Sequence, residues 1–488
     1  MLEKHCRNGD AYILTEDAYD VCANGRIPRG EFAGDLAEQL KLGKVCREGS
    51  RLYLPRTLKY ENCAAVCLAD ILRNNVVTNA VLTDDLFRMG DWVLCEEQCE
   101  AIKMALTHRL SVVLGDAGTG KSTVIAKMVE ECKFGSIVLA APTGKAAQNL
   151  FLKTAFPART VHSALGLRPD IGEDESPVKW EFVTRVVIDE ASMLTIDLLG
   201  LLLTKVRRDC CIVLVGDPNQ LLSVGSGNVL PDLLKLGIPS VYLRKNFRQE
   251  NSDAALYHNV TRFGELREER GLLYDDSFQL EQMNEAVAEK ALIEEAVRRY
   301  QAGESVQVLS PYNRKTLLSV ESLNRSLRER LNPPDPKKKE LVLGDEVFRD
   351  GDRVIITKNG EHCVNGDVGT LHIDAVVSVR PVYRVDFGFG RIVEWDDWSG
   401  LKEMALAYAL TVHKSQGSQC DTILFPVIDR FSGMLYRNLF YTAISRAKKN
   451  VILYGGRVAV DAAIRRAAKP RRSKLVEKTQ MILFKNVG

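Results

Sequence analysis

This chain of 488 residues lacks any apolar run long enough to cross a bilayer, which sets aside a helical membrane protein and any membrane partner. Its first residues, Met1-Leu2-Glu3-Lys4-His5, lack the apolar core of a secretory signal, so a cytoplasmic location is expected. Net charge is nearly absent. Lys and Arg number 66 against 64 Asp and Glu, a formal +2, so contact with nucleic acid would have to come from a local groove. There are 12 cysteines, but none stand in the CxxC spacing of common zinc sites. Cys63 and Cys67, like Cys95 and Cys99, are four apart, a spacing that would put each pair on one face of a helix, which fits small buried hydrophobes in a reduced compartment. The carboxylates form no cluster separable from surface charge, so no nuclease centre is indicated. Residues 1–92 hold no nucleotide motif.

What is present suits a globular protein of several domains: 45% hydrophobic and 27% charged residues. Residues 1–92 read as a helix from Leu14, a turn, a helix over Glu31 to Leu42, and two short strands around Gly49-Ser50. That order predicts a winged-helix-like module, which could bind DNA or only pack; the residues leave both open. From 93 to 250, short apolar strands alternate with helices: Val112–Leu114, Ile137–Ala140, Val186–Ile188 and Ile212–Val215. Continuous apolar strands with helical crossovers predict a buried parallel sheet. A second set lies within 251–488: Val306–Leu309, Ala407–Val412, Thr422–Val427 and Val451–Tyr454. Two such lobes predict a cleft. The second is interrupted over about 340–400 by β-branched residues and turn signals, expected to form a small β-barrel after the linker Pro333–Lys339. The basic run Lys469–Lys474 is read either as a solvated end or as a backbone-touching segment.

Gly115-Asp116-Ala117-Gly118-Thr119-Gly120-Lys121-Ser122 is a complete GxxxxGK[ST] loop between a predicted strand and a predicted helix. Glycines let backbone N–H groups curl around phosphate oxygens, and the helix N-terminus adds partial positive charge. ATP is the expected ligand, held by residues 115–122 and Thr123. Lys121 would meet the β/γ-phosphates, and Ser122 would offer its hydroxyl to Mg²⁺. Val186-Val187-Ile188-Asp189-Glu190 brings two carboxylates to a strand end, Asp189 for the Mg²⁺ shell and Glu190 to polarise the attacking water.

These motifs resemble those of the RecD-type helicases of superfamily 1, over most of Leu94 to Gly455. Gln98 is similar to the family's adenine-reading glutamine. Ala141–Ala147 resembles motif Ia, Arg159–Ser163 motif Ib, Val215–Gln220 motif III, and Asn246–Gln249 motif IV. Thr411–Ser418 and Tyr441–Ala447 resemble motifs V and VI. Gly351–Val354 and Asn365–Gly369 place an SH3-like insert. The resemblance implies two tandem RecA-like α/β lobes. It makes Gln220 a γ-phosphate sensor and Arg248 and Arg446 phosphate-reaching arginines. It further implies 5′-to-3′ movement on single-stranded DNA with unwinding at duplex junctions, in repair, recombination or replication. Two alternatives are a motor subunit with protein partners in a helicase–nuclease complex, and an RNA-directed helicase.

For the DNA track the resemblance nominates Pro142, Thr143, His162, Thr411, His413 and Lys414. Local readings compete: Thr143 as a helix cap, His162 as a satisfied buried histidine. The segment of about 165–181 corresponds to the family's strand-splitting pin. Its acidic tip suits a steric wedge or a plain surface loop.

Overall fold

The computed structural model describes residues 2–24, 27–76, 87–89, 92–130, 136–168, 172–173, 176–247, 254–263, 271–343, 346–358, 363–373, 382–388, 390–395, 400–431 and 433–485. Two compact units emerge: Met1–Pro142 with Leu150–Lys245 and Lys469–Gly488, and Thr143–Asn149 with Asn246–Ala468.

The first unit is built on a six-stranded sheet. Its order is Ser240–Leu243, Leu110–Gly115, Cys211–Gly216, Arg185–Ile188, Ile137–Ala141, Ala158–Thr160, with every pairing parallel. Successive side chains of a strand point to opposite faces. Accordingly Leu110, Val112, Leu114, Val186, Ile188, Ile212 and Leu214 enter one core. Val113, Val187, Val213 and Val215 enter another on the opposite face. The first core is covered by the helices Pro55–Arg73 and Ile196–Lys205, the second by Glu96–Thr107 and Lys121–Glu130. This double burial explains why the strands read as unbroken apolar runs. Each fully buried aliphatic side chain contributes roughly 1.5–3 kcal/mol.

The N-terminal segment has the helices Thr15–Ala23 and Arg29–Lys41, then a hairpin of Cys46–Glu48 and Arg51–Tyr53. A third strand, Tyr12–Leu14, pairs antiparallel with Arg51–Tyr53. Leu2, Cys6, Ile13, Ala18 and Leu52 form its small core. The 19-residue helix Pro55–Arg73 then packs on Ile196–Lys205.

The second unit repeats the parallel plan with five strands: Phe278–Gln282, Ala447–Gly455, Cys420–Val427, Val306–Ser310, Ala409–Thr411. The inserted sheet is antiparallel throughout, in the order Ile392–Trp395, Tyr383–Asp386, Val368–Ile373, Arg353–Ile356, Met404–Leu406. A short hairpin, Glu340–Leu343 with Glu346–Arg349, precedes it. The insert thus ends at Leu406, a few residues beyond the expected boundary. Its two sequence signatures are buried-aspartate turns. Asp352 accepts from Asn332 Nδ2 (2.9 Å), the Arg349 amide (2.7 Å) and the Tyr408 hydroxyl (3.0 Å). Asp367 accepts from the Val364 amide (2.9 Å) and pairs with Arg391 (2.7 Å). Neither carboxylate is accessible, and burial is compensated by hydrogen bonds at Asp352 and by an ion pair at Asp367.

The strand pattern predicts a second lobe that runs through to residue 488. The structure instead returns Lys469–Gly488 to the first unit. The helix Leu475–Lys485 lies on Pro55–Arg73, with Leu475 and Thr479 buried. The basic run is anchored rather than solvated. Arg472 pairs with Asp17, and the inaccessible Glu61 accepts from the Lys474 amide (2.9 Å) and meets Lys478 Nζ at 3.0 Å.

Candidate nucleotide site and DNA-facing residues

The strand Leu110–Gly115 delivers the chain into the phosphate loop, and the helix Lys121–Glu130 carries it away. Gly118 (φ 93°) and Gly120 (φ 80°) take the left-handed backbone that the turn requires. Gly115 leaves no room for a side chain: a Cβ there would meet Thr119 Oγ1 at 2.5 Å. Lys121 Nζ donates to the carbonyls of Gly115 (2.6 Å) and Asp116 (2.7 Å), so the lysine folds back across the loop's mouth. Thr119 Oγ1 donates to the Asp116 carbonyl at 2.9 Å.

Asp116 links the loop to neighbouring strand ends. Its Oδ1 accepts from Asn219 Nδ2 (3.1 Å) and from the Tyr242 hydroxyl (2.9 Å). Neither Asn219 nor Tyr242 is marked as a site residue by the motifs alone. Asn219 lies within the recognised motif III, whereas Tyr242 sits on the edge strand Ser240–Leu243, which gave no clear strand signal. Gln220 is buried, and its Nε2 donates to Asp217 Oδ2 at 3.1 Å.

Asp189 and Glu190 follow the strand Arg185–Ile188. Burial raises the Asp189 carboxyl above its ordinary range, and the neighbouring charge of Glu190 adds to this. The Glu190 amide donates to Asp189 Oδ1 at 2.9 Å. Glu190 itself has φ 52° and ψ 39°, a left-handed conformation costing a non-glycine residue about 1–2 kcal/mol. A further residue missed in sequence is Lys153, whose Nζ donates to Ser122 Oγ at 3.0 Å. Ser122 and Asp189 are hard oxygen donors of the type Mg²⁺ prefers, and a cationic group already lies against Ser122.

Gln98 is buried in the first turn of the helix Glu96–Thr107, where its Oε1 accepts from the Cys95 amide at 3.2 Å. Arg446, in the second unit, follows the helix Arg437–Ile444 and is also buried. Its Nε donates to the Thr442 carbonyl (3.2 Å), its Nη1 to Ser418 (3.5 Å). Arg248 lies outside the described residues.

The DNA-facing candidates divide between the units. Pro142 and His162 belong to the first, and Thr143, Thr411, His413 and Lys414 to the second. Thr143 Oγ1 accepts from the Ala146 amide (3.2 Å), so it does cap the helix Gly144–Thr154. Thr411 Oγ1 likewise accepts from the Lys414 amide at 3.2 Å. Burial lowers the pKa of His162, with Arg56 adding to the effect; burial also lowers those of His413 and Lys414. In the pin-like segment, Leu167–Arg168 pairs antiparallel with Gly172–Glu173, while residues 169–171 and 174–175 lie outside the described residues. Ser176 fastens its base, donating to the Ala164 carbonyl (2.6 Å) and accepting from Trp180 Nε1 (3.0 Å).

Three family models match parts of the chain. Residues 93–284 match the AAA domain, 323–387 the SH3 domain of ATP-dependent RecD-like DNA helicases, and 406–454 the UvrD-like helicase C-terminal domain. The RecD subunit of the RecBCD enzyme of Mycolicibacterium smegmatis is 31% identical over 423 residues, 76% of this chain and 73% of that protein. The chain belongs to the RecD-like helicases of superfamily 1. Another RecD-like relative, the ATP-dependent RecD2 DNA helicase of Deinococcus radiodurans, is 31% identical over 485 residues. The match takes in 96% of this chain but 63% of that relative, so this RecD-like chain spans less than two thirds of it. The Pif1 helicase from Candida albicans shares the fold, with a TM-score of 0.50 at 18% identity, over 81% of this chain and 99% of that one. Among the described residues, no helix of this RecD-like chain is long and apolar enough to cross a membrane.

Proposed function

We propose that this RecD-like chain is an ATP-driven motor that moves 5′-to-3′ along single-stranded DNA and unwinds duplex in repair, recombination or replication. The observation carrying this reading is the assembly in one unit of the Gly115–Ser122 loop, the Asp189-Glu190 pair and Gln220, at the ends of adjacent parallel strands. ATP supplies the work. Its phosphates are wrapped by backbone amides of residues 115–122, and Lys121 exchanges its two loop carbonyls for β/γ-oxygens. Ser122 and Asp189 would hold Mg²⁺, which neutralises charge on the phosphates. Thr123 follows Ser122 in the first turn of the helix Lys121–Glu130. Glu190 orients the attacking water, and Gln220 registers whether the γ-phosphate is present. With its Oε1 accepting from the Cys95 amide, Gln98 carries Nε2 donors suited to reading a base. Arg248 and Arg446 stabilise charge in the transition state. Pro142, Thr143, His162, Thr411, His413 and Lys414 line the strand's path, with neutral His162 and His413 suited to packing against sugar and base.

The relative described as a subunit of the RecBCD enzyme supports a second reading, a motor that works inside a helicase–nuclease assembly. One experiment separates the two. ATP turnover and unwinding by the isolated chain are measured on duplexes with a 5′ tail, a 3′ tail or an RNA tail. Unwinding of the 5′-tailed DNA alone is expected. Strand-stimulated turnover without unwinding would favour the subunit reading. Turnover indifferent to any strand would refute the motor.

A further inference from the structure

We propose that Arg471, in the C-terminal tail, is a positioning residue for Gln220; the inference rests on the γ-phosphate-sensing role given to Gln220 above. The segment after Gln220 is an irregular loop, residues 221–228, holding buried Ser223 and Ser226 and two left-handed glycines, Gly225 (φ 140°) and Gly227 (φ 96°). Three carbonyls of this loop turn onto one guanidinium. Arg471 Nη1 donates to Ser223 Oγ (2.8 Å) and to the carbonyls of Gly225 (3.3 Å) and Gly227 (3.1 Å). Its Nη2 donates to the Ser223 carbonyl at 2.5 Å.

The loop is tied by backbone contacts as well. The Gly227 amide donates to the Gly9 carbonyl (2.9 Å), and the Ser226 carbonyl accepts from the Ile196 amide (2.9 Å). Gly9, at φ 105°, lies so near Arg471 that any Cβ there would fall on the guanidinium. Arg471 is itself held in place by its neighbour. The Arg472 amide donates to Asp10 Oδ1 (2.9 Å), and the Arg472 carbonyl accepts from the Ala11 amide (2.7 Å). Only a planar fork of donors can collect acceptors spread over Ser223, Gly225 and Gly227; an ammonium offers fewer donors from a single point. The tail thereby fixes the loop three residues beyond the phosphate sensor. Gln220 is held by Asp217 on its other side, so a loop released by loss of Arg471 would displace the sensor relative to the phosphate loop.

The test uses the full chain and compares affinity for ADP with affinity for a non-hydrolysable ATP analogue, both with Mg²⁺. Arg471→Ala is expected to weaken the analogue roughly tenfold while ADP stays within about twofold, and Arg471→Lys to recover part of the loss. Equal weakening of both ligands, or of neither, would overturn the proposal, since a merely structural arginine gives no γ-phosphate selectivity. Gln220→Ala is the control. If it leaves the ADP-to-analogue ratio unchanged, the sensor assignment itself fails. If it shifts the ratio while Arg471→Ala does not, only the Arg471 proposal fails. Where Arg471→Ala gives no folded protein, Ser223→Ala removes a single acceptor. It should shift the ratio in the same direction by roughly twofold, and an unchanged ratio there is equally fatal.

Discussion

Glu190 combines a strained backbone with a position beside a buried acid whose pKa is raised, a pairing frequent where chemistry is done. Glu190→Gln preserves shape and removes the charge that polarises water. It should bind ATP with near wild-type affinity while turnover falls by roughly 10²–10⁴-fold, as nucleotide binding and single-turnover hydrolysis would show. This much was legible in sequence because the loop and the DE pair each keep their chemistry within a few consecutive residues. The clamp on Asp116 was not. Its partners Asn219 and Tyr242 are 103 and 126 positions away, and only the folded sheet brings them together. Asp232 is a second residue invisible in sequence. Burial pushes its carboxyl up to about 6, against the opposing pull of Ser473 and Lys235. A carboxyl whose folded value lies above its unfolded value binds more protons when folded, so stability falls as pH rises through that window. Asp232→Asn should therefore raise the melting temperature at pH 7.5 and change it little at pH 5, where the native side chain is already largely protonated.

Strands buried along most of their length announced themselves, the edge strand Ala409–Thr411 included, and the more exposed edge strands did not. The strands Leu110–Gly115 and Cys211–Gly216 are buried along their whole length, so an apolar run was unavoidable. Ala158–Thr160 and Phe278–Gln282 sit at sheet edges, with half-buried or exposed positions that mix polar and apolar residues, and left no such trace. The helix Pro55–Arg73 was legible only in the i, i+4 spacing of Cys63 and Cys67, although its contact with Ile196–Lys205 is intimate. A Cβ at Gly200 would fall on the Tyr60 carbonyl, a backbone atom with little freedom to yield. Gly200→Ala gains helix propensity of about 1 kcal/mol, but overpacking costs about 1–3 kcal/mol. A net loss in denaturant midpoint is expected, with no change in nucleotide affinity. The hairpin after Leu167 permits a cleaner test of the pin. Ser176 anchors Trp180 and the Ala164 carbonyl, so it must be kept. Replacing 169–175 with a short Gly-Ser turn should lower unwinding of tailed duplex and spare strand-stimulated ATP turnover. Undiminished unwinding would leave the segment a surface loop.

At the level of the whole molecule, the chain does not end in the unit that precedes its tail. Residues 469–485 leave the second parallel sheet's unit and join the first, covering Pro55–Arg73 and closing on the N-terminal segment. Nothing in the run Lys469–Lys474 announced this, because a basic segment reads alike whether solvated or paired, and its acidic partners Asp10, Asp17 and Glu61 lie more than 400 positions away. The second parallel sheet, by contrast, was anticipated from its apolar strands. The ion pair of Lys478 with Glu61 lets the tail's contribution be measured. Glu61 is inaccessible, and the Lys478 side chain is 13% exposed at 3.0 Å from it. Removing one member of such a pair leaves a buried charge uncompensated, at a cost of about 3–5 kcal/mol, far above that of an exposed pair. Lys478→Met should therefore destabilise the first unit by several kcal/mol. Adding Glu61→Gln should restore most of the loss, because the orphaned charge is then gone. Hydrogen exchange provides the readout. Protection should fall in Pro55–Arg73 and Ile196–Lys205 of the single variant, and the strands Val306–Ser310 and Cys420–Val427 should keep theirs. Equal loss in both units would show that the tail stabilises the molecule as one cooperative body rather than through the helix it covers.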